Sequence, residues 1–359
     1  MAKLQAVLGP IGRNDAVCLF ASACYDLDRL GRLIAEAFPG PVLACTSAGE
    51  WCDGVGMTTG SITAAVLPSP DVRLHTELVR NPEHLSSADA IRIAAKLNRR
   101  CQKPGDPNSI GLFLSDGTIP TEPAAAAVFA ALDYRRMVGA GAGDDGAFRR
   151  SHVYHDGVFH ERAAVVGLLE SRWPMATFNI RHIVPTQRRL VVTGVDSTGR
   201  RVTELNGMSA ADAYAFAIDV PRDSLCYRVF STHPLVARIA GEACVRSIRA
   251  TNSDGSLDLY CAVSLGMVLR VGECSNLLRN LATRLSSEIA AVPNPQLILA
   301  FDCMLRRVEL EAIGAVDQAA GTLPPVPMVG FCTYGEYHQG VHLNQTMTGL
   351  IIGGAHAQS

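Results

Sequence analysis

The sequence predicts an α/β protein with two domains, and three observations support this. A strand-helix-strand pattern occurs three times, its strands are nearly unbroken apolar runs, and a β-rich stretch separates the second copy from the third. Such strands are typical of buried, parallel pairs that are covered by helices. The 359 residues, 48% hydrophobic and 18% charged, are enough for two packed cores.

The first copy begins with the apolar strand 17–22. A helix follows, in which four apolar residues have helical spacing: Leu27, Leu30, Ile34 and Ala37. The Pro39-Gly40 pair ends this helix, and a second strand, 41–50, ends in Cys45-Thr-Ser-Ala-Gly-Glu50.

The second copy has its strands at 110–117 and 137–145, around a helix that Thr121 can cap and that has Pro123 in its first turn. The third copy has its strands at 296–302 and 328–336. Its last residues, Cys332-Thr-Tyr-Gly-Glu336, resemble the end of the first copy, which indicates an internal duplication.

The stretch between the second and third copies reads as β-rich, with Gly and Asp turns. A later helix, with Leu281, Leu285 and Ile289 on one face, has Ser275 as its candidate cap. We place the domain boundary after the strand 201–206, which gives domains 1–207 and 208–359.

Charge and composition exclude several classes of protein. The net charge is −2 and no basic run exceeds two residues, so nucleic-acid and anionic-lipid binding are not expected. No secretory signal opens the chain, and the longest apolar run, 124–132, is too short to cross a membrane. Eleven cysteines without any Cys-x-x-Cys pair indicate a reducing compartment, and we expect the cytoplasm.

The motifs that would identify an enzyme do not fit this sequence. The letters of Gly141-Ala-Gly-Asp-Asp-Gly146 match a dinucleotide-binding turn, but a strand follows them instead of a helix. We therefore expect a tight turn in which Asp144 and Asp145 accept local N–H groups. The three histidines at 152, 155 and 160 do not share one strand face, so we expect surface residues and no metal site there.

Carboxylates at strand ends form the first candidate site. Glu50, Asp116, Asp302 and Glu336 each follow an apolar strand, and ligands of open α/β sheets collect at that edge. The alternative is that these side chains only stabilise turns. Two histidines form the second candidate, His233 before a proline and His342 near Glu336, although each alone is more often structural than a metal ligand.

The strand-end segments resemble a known family. Cys45-Thr-Ser-Ala-Gly-Glu50 and Val138-Gly-Ala-Gly-Ala-Gly-Asp-Asp145 are similar to the FIST N-terminal domain. Gly330-Phe-Cys-Thr-Tyr-Gly-Glu336, followed by Asn344-Gln-Thr346, is similar to the FIST C-terminal domain. The resemblance implies a bacterial sensory protein that binds a small ligand, is not an enzyme, and signals through a partner.

Shorter segments resemble the nitric-oxide-sensing haemoprotein branch of that family, among them Thr232-His-Pro-Leu235 and His342-Leu-Asn-Gln-Thr346. This resemblance implies haem b, with His233 as the first choice of iron ligand, His342 as the second, and Arg246 as a partner of a propionate. It also implies regulation by nitric oxide of a histidine kinase or of a diguanylate cyclase or phosphodiesterase. A homodimer is a further expectation.

Two other functions stay open at this point. A FIST protein without haem could sense an amino-acid-like metabolite at five candidate positions, namely Glu50, Asp116, Asp302, Glu336 and Asn344. A hydrolase that uses those carboxylates or a cysteine is the third possibility.

Overall fold

The computed structural model of the protein describes residues 2–102, 106, 108–239, 241–323 and 325–355. It contains three α/β units that share one order of elements, and one separate antiparallel sheet. Unit 1 covers residues 16–80, unit 2 covers 109–181, and unit 3 covers 295–353. The α/β prediction and the three copies of the strand-helix-strand pattern are confirmed.

Unit 1 and its flanking helices consist of α1 (Ala2–Leu8), β1 (Ala16–Ser22), α2 (Leu27–Ala37), β2 (Val42–Ser47), β3 (Glu50–Cys52), β4 (Gly56–Thr58), β5 (Ile62–Leu67), β6 (Val72–Arg80) and α3 (Ser87–Arg100). Unit 2 consists of β7 (Ser109–Asp116), α4 (Glu122–Ala131), β8 (Met137–Ala142), β9 (Val153–His155), β10 (Val158–His160), β11 (Ala163–Ser171) and β12 (Met175–Arg181).

The antiparallel region consists of β13 (Ile183–Val195), β14 (Arg201–Leu205), β15 (Met208–Ser209), α5 (Ala210–Ile218), α6 (Tyr227–Thr232), β16 (Leu235–Ile239), β17 (Glu242–Arg246), β18 (Ile248–Thr251), β19 (Leu257–Leu259), β20 (Val268–Cys274) and α7 (Leu277–Ala290). Unit 3 consists of β21 (Pro295–Cys303), α8 (Met304–Ala312), α9 (Val316–Gly321), β22 (Met328–Thr333), β23 (Glu336–His338), β24 (Val341–Leu343) and β25 (Thr346–Gly353).

Pairing within the units repeats three times. The first strand of each unit pairs in parallel with the second and antiparallel with the fifth, as β1 does with β2 and β5. The same pairs are β7 with β8 and β11, and β21 with β22 and β25. Every residue of β1, β2, β7, β8 and β22 is buried, which explains their unbroken apolar sequences.

The hairpin of each unit pairs with a strand of another unit. The β3–β4 hairpin of unit 1 pairs with β22 of unit 3, and the β23–β24 hairpin of unit 3 pairs with β8 of unit 2. The β9–β10 hairpin of unit 2 pairs with β2 of unit 1, which closes the cycle. Three equivalent interfaces result. In each, the hairpin of one unit pairs with a second unit, which we call the receiving unit.

The fourth sheet has eight strands and joins the two predicted domains. Strands β13 and β14 lie before Gly207, and β16 to β20 lie after it, yet all of them belong to this sheet. Gly207, at which we place the domain boundary from the sequence, lies in the turn between β14 and β15. This sheet has its own apolar core, around Tyr214 and Phe230.

Two helix caps differ from the sequence expectation. Thr121 does precede α4, but its hydroxyl bonds to the phenol of Tyr337 and not to the helix backbone. The cap of α7 is Asn276, whose side chain accepts from Arg279 N at 2.8 Å, whereas Ser275 donates to the carbonyl of His182. In both cases a tertiary partner takes the hydroxyl that a cap would use.

One hydrophobic cluster lies between the units and contains residues from all three of them. The rings of Phe20, Phe301 and Phe331 contact one another there, with centroids 4.6 to 6.1 Å apart. Within the described residues, no helix combines the length and apolar character that crossing a membrane requires.

Candidate functional site

Glu50 closes the turn after β2. Its carboxylate accepts from the hydroxyl of Ser47, and from the N–H (3.1 Å) and hydroxyl (2.6 Å) of Ser61. The side chain is wholly buried, and burial raises its pKa. The Ser47 and Ser61 donors therefore occupy both carboxylate oxygens.

Glu336 closes the equivalent turn of unit 3 with the same hydrogen bonds. It accepts from the hydroxyl of Thr333, and from the N–H (3.3 Å) and hydroxyl (2.6 Å) of Thr346. It is also wholly buried, and burial raises its pKa to about 8. The two predicted glutamates are thus equivalent positions of a duplicated turn.

The two predicted aspartates are also paired with protein donors. Asp116 receives four hydrogen bonds, two from Thr118 and one each from Ser151 and Arg162. Asp302 accepts from Trp51 Nε1 at 3.1 Å and from Arg306 Nε at 2.6 Å. Burial raises the pKa of Asp302, against the effect of Arg306. All four predicted carboxylates therefore stabilise local structure, and any contact with a ligand stays a prediction.

His342, on β24, lies at the centre of a buried polar cluster. Its ring stacks on Tyr337 of β23, with centroids 4.8 Å apart. Nδ1 is 3.3 Å from Cys261 Sγ and 3.5 Å from Glu122 Oε1. Nε2 faces Gly335, whose φ of 131° and missing side chain leave room for the ring, since a Cβ there would overlap it.

The charges of this cluster favour a cationic His342. Burial lowers the pKa of His342, but Cys261, Tyr337 and Glu122 outweigh burial and place it well above the usual value. Burial opposes ionisation of Glu122, yet His342 and Arg200 outweigh it and lower the Glu122 pKa. Arg200 Nη2 is 2.6 Å from Glu122 Oε1. A cation-carboxylate-cation chain therefore runs through the interior.

Arg246 and Asn344 join the same cluster. Arg246 Nη1 donates to the carbonyl of His342 at 3.0 Å, and Asn344 Oδ1 is 2.9 Å from Cys261 Sγ. Arg246 Nε is buried and has no hydrogen-bond partner among the described residues. The structure thus brings together three predicted site residues, His342, Arg246 and Asn344, next to Glu336.

His233 lies elsewhere, directly after α6, and is half-buried. The hydroxyl of Thr232 is 3.0 Å from both the carbonyl of Arg228 and His233 Nδ1. Because that hydroxyl has one proton, which it donates to the carbonyl, it accepts from Nδ1–H. The Nε2 lone pair of His233 is then free to bind a metal.

The three hairpin interfaces differ at the position of His342. Residues His342, Met57 and Phe159 occupy the same place, opposite Tyr337, Trp51 and Tyr154 respectively. Tyr337 and Trp51 also both bond to the receiving unit, through Ser115 and Asp302 at equivalent strand ends. Only the interface between units 2 and 3 therefore has an ionisable side chain at this position.

A groove of about 230 Å³ lies between unit 2 and the eight-stranded sheet, beside this cluster. Its charged side chains are Arg200, Arg201, Arg249, Asp196 and Asp258, and the rest of its lining is formed by Gly117, Thr118, Phe148, Thr198, Leu259 and Tyr260. Arg200 connects the groove to the interior, because the same side chain lines the groove and pairs with Glu122.

Comparison with protein families accounts for most of the chain. A family model for the FIST N domain matches residues 15–208, and one for the FIST C domain matches residues 210–339. The chain belongs to the FIST family. FIST domains are sensory domains of signal transduction. The boundary between the two FIST models falls inside the eight-stranded sheet, between β14 and α5.

Other comparisons add little to the FIST assignment. No curated protein sequence matches the chain. A crystal structure of chorismatase is similar with a TM-score of 0.31 and 10% sequence identity, over 94% of this chain and 93% of that chain. A likeness at that level supports no conclusion about fold or function.

Sequence reasoning missed Glu122, Cys261 and Arg200, which the structure places around His342. No motif connects these residues, because Cys261 and His342 are 81 positions apart and meet only through the hairpin exchange. One signal was present, since an aromatic residue follows Gly-Glu both at Trp51 and at Tyr337. That repeat points to the interfaces, although not to the side chains from the FIST C part.

Proposed function

We propose that this FIST protein is a non-catalytic sensor that binds a small ligand in the groove and regulates a separate signalling enzyme. This is the metabolite-sensing alternative that the sequence left open, with a different set of contact residues. The sensory role of FIST domains supports the general class. A groove between two parts of a chain is a common place for small-molecule binding.

One observation supports this proposal most strongly, namely the contacts from the groove to the unit 3 hairpin. Arg200 lines the groove, its guanidinium pairs with Glu122, and Glu122 pairs with the His342 ring on β24. A ligand that pairs with Arg200 competes with Glu122 for it. Binding therefore changes the electrostatic support of a buried cation and, through it, the packing of the hairpin.

The geometry of the cluster also supports a role without catalysis. In a cysteine-histidine hydrolase the two ring nitrogens serve different partners, one the nucleophile and the other an orienting group. Here Cys261 and Glu122 both approach Nδ1 of His342, and Nε2 faces Gly335. Burial opposes ionisation of Cys261, yet His342 and Arg246 outweigh it and lower the Cys261 pKa. The thiol is almost wholly buried, however, so a substrate does not reach it.

A thermal-shift screen of amino acids, carboxylic acids, nucleobases and sugars tests the proposal. A compound present at about 100 times its Kd stabilises the folded state by about 2.7 kcal/mol. We expect at least one compound to stabilise the wild type and not the Arg200→Gln variant. Arg149→Gln, at an exposed position that does not line the groove, is the control and keeps the response. Ligands that stabilise Arg200→Gln as well as the wild type contradict the proposal.

Haem-dependent sensing of nitric oxide is the second candidate function, and the tautomer of His233 favours it. An iron-binding histidine needs a free Nε2 and an acceptor for its Nδ1–H, and the Thr232 hydroxyl is that acceptor. Bound iron would supply the centre that binds nitric oxide. His342 does not fit this role, because both of its nitrogens face protein atoms. Arg246 is almost wholly buried, so a propionate paired with it would be buried too.

Haem titration separates this candidate from the first. We expect a haem sensor to take up one haem per chain and to shift its Soret band with nitric oxide, and His233→Ala to abolish the uptake. His160→Ala, at a half-buried histidine of unit 2, serves as the control. Equal haem content in His233→Ala and the wild type would remove His233 from this function.

A further inference from the structure

We infer that the ligand of the groove is a small aromatic carboxylate, an inference that rests on the proposed function. The size, charge and wall chemistry of the groove each restrict the ligand, and each restriction comes from a separate observation.

The size of the groove limits the ligand to about one ring. Drug-sized ligands occupy pockets of about 300–1,000 Å³. The groove, at about 230 Å³, lies below that range. A single ring with one short substituent fits this space, whereas a nucleotide or a larger cofactor does not.

The charges of the lining select an anion. The groove is lined by three guanidinium groups and two carboxylates, which leaves one positive charge. Arg201 and Arg249 share the one carboxylate of Asp258, so these two guanidinium groups keep an excess positive charge at the groove. A ligand with a single negative charge completes the balance.

Unused hydrogen-bond donors indicate a carboxylate as the anionic group. Arg201 bonds to Asp258 through Nε, and Arg249 bonds to the same carboxylate through Nη2. The buried Nε of Arg200 has no partner among the residues that the structure describes. Guanidinium groups pair with carboxylates through two parallel N–H bonds, so a ligand carboxylate can use the remaining N–H groups of Arg201 and Arg249, whose side chains are half-exposed.

Two aromatic rings form part of the groove lining. Phe148 and Tyr260 line it, with ring centroids 5.3 Å apart, and Phe148 stacks on Tyr334 at 3.9 Å. A flat apolar surface of this kind favours a flat apolar ligand.

The backbone of Phe148 is held in an unfavourable conformation, which fixes this part of the lining in place. Its φ is 52°, a left-handed value that a bulky residue rarely adopts. Asp144 holds the loop by accepting from the N–H groups of Phe148, Arg149 and Arg150 at 2.7 to 2.9 Å. Backbone strain of this kind clusters at ligand sites, where it orients a side chain before binding.

Calorimetric titration with three matched probes tests the inference. Benzoate combines the ring and the charge, benzamide has the ring without the charge, and cyclohexanecarboxylate has the charge without the aromatic ring. We expect benzoate to bind at least about tenfold more tightly than benzamide, because one lost charge-assisted interaction changes affinity by about that factor. We expect benzoate to bind about fivefold more tightly than cyclohexanecarboxylate, which loses the contact between aromatic rings.

Two variants place the binding in the groove. Arg249→Gln, at a half-exposed side chain, is expected to weaken benzoate about tenfold, and Phe148→Leu about fivefold. Arg149→Gln is the control and is expected to bind benzoate as the wild type does. Circular dichroism and thermal unfolding of each variant confirm that it is folded before titration.

The outcomes distinguish the inference from the proposed function. Equal affinity for benzoate and cyclohexanecarboxylate, both lowered by Arg249→Gln, overturns the aromatic class and keeps the groove as the site. Absence of benzoate binding, together with an Arg200-dependent response to another compound in the thermal-shift screen, also overturns the class alone. Benzoate binding that no groove variant changes overturns the inference and the groove together.

Discussion

Two of the hairpin interfaces have the same backbone arrangement and differ in their side chains. Where unit 1 contacts unit 3, Glu50 is enclosed by hydroxyls and Met57 lies opposite Trp51. Where unit 3 contacts unit 2, Glu336 is enclosed in the same way, but His342 lies opposite Tyr337.

The enclosed glutamate therefore belongs to the duplicated scaffold, because it is present whether methionine or histidine lies opposite the aromatic residue. The position of Met57 and His342 is where the copies diverge. At the second interface the ring meets Glu122 from unit 2 and Cys261 from the FIST C part, so the side chain that differs is also the one that reaches other parts of the chain. The interfaces thus share one scaffold and differ in the ionisable groups that meet at this position.

The largest expected effect comes from the glycine that directly precedes each enclosed glutamate, Gly335 before Glu336 and Gly49 before Glu50. Gly335→Ala puts a Cβ into the His342 ring at a φ of 131°, and we expect a loss of about 4 kcal/mol in the free energy of unfolding. Gly49→Ala, with a φ of 130°, meets the flexible end of Arg307 and is expected to cost about 2 kcal/mol. Urea unfolding measures both, and Gly60→Ala, in open space at a φ of 66°, is the control at about 1 kcal/mol.

Exchange of the diverged residue tests the comparison directly. His342→Met gives the second interface the residue of the first, and removing one member of a buried charged group costs about 3 kcal/mol. Because the folded-state pKa of His342 is raised, this cost is complete below about pH 6.5 and shrinks as the pH rises through that pKa. Phe159→Met, at the third equivalent position, should cost less than about 1.5 kcal/mol at every pH. If His342→Met lowers the free energy of unfolding by the same amount at every pH, the His342 ring is not charged in the folded protein.

The enclosed glutamates should differ in their pH response. Burial raises the pKa of Glu336 to about 8 in the folded protein, whereas the unfolded chain has the ordinary glutamate pKa of 4.5. Between these values the stability of the wild type falls by about 1.4 kcal/mol per pH unit from this group alone. Glu336→Gln should therefore gain stability relative to the wild type as the pH rises, in urea titrations from about pH 5 to about pH 8. A flat difference across this range would show that Glu336 ionises normally.

The smallest expected effect concerns the hydroxyls around the two glutamates. A hydrogen bond to an ionised carboxylate is about twice as strong as one to a neutral carboxyl. Because burial raises the pKa of Glu336 to about 8, Thr346→Val should cost about 1 kcal/mol at pH 7 and about 2 kcal/mol at about pH 9. Ser61→Ala removes the equivalent hydroxyl at Glu50 and is the comparison. A cost of Thr346→Val that is the same at both pH values would show that Glu336 keeps one protonation state between them.

Local sequence patterns predicted the units, because each strand-helix-strand pattern depends on residues that are close in the chain. Buried strands such as β1 and β22 are continuous apolar runs, and α2 has its buried residues at helical spacing. The exchange of hairpins has no local signal. A three-residue strand such as β23 pairs with β8 about as well as with its own unit, and only the packing of the whole core decides.

The candidate site was predicted in part for the same reason. His342, Asn344 and Glu336 lie in one short segment with a recognisable resemblance, and the structure brings them together with Arg246. Glu122 begins a helix and reads as an ordinary first-turn carboxylate, and Cys261 reads as one of eleven cysteines. Their role depends on contacts between distant segments. Haem, nitric oxide, the partner enzymes, the homodimer and the cytoplasmic location stay predictions.

The most direct test of the central claim is NMR of the His342 ring, assigned with the His342→Met variant. We predict that the ring stays protonated above the usual histidine pKa of about 6.5 in the free protein, and that benzoate shifts its resonance in the wild type but not in Arg200→Gln. A ring that titrates near the usual histidine value of about 6.5, and that does not respond to any ligand found in the thermal-shift screen, would contradict the coupling of the groove to this interface.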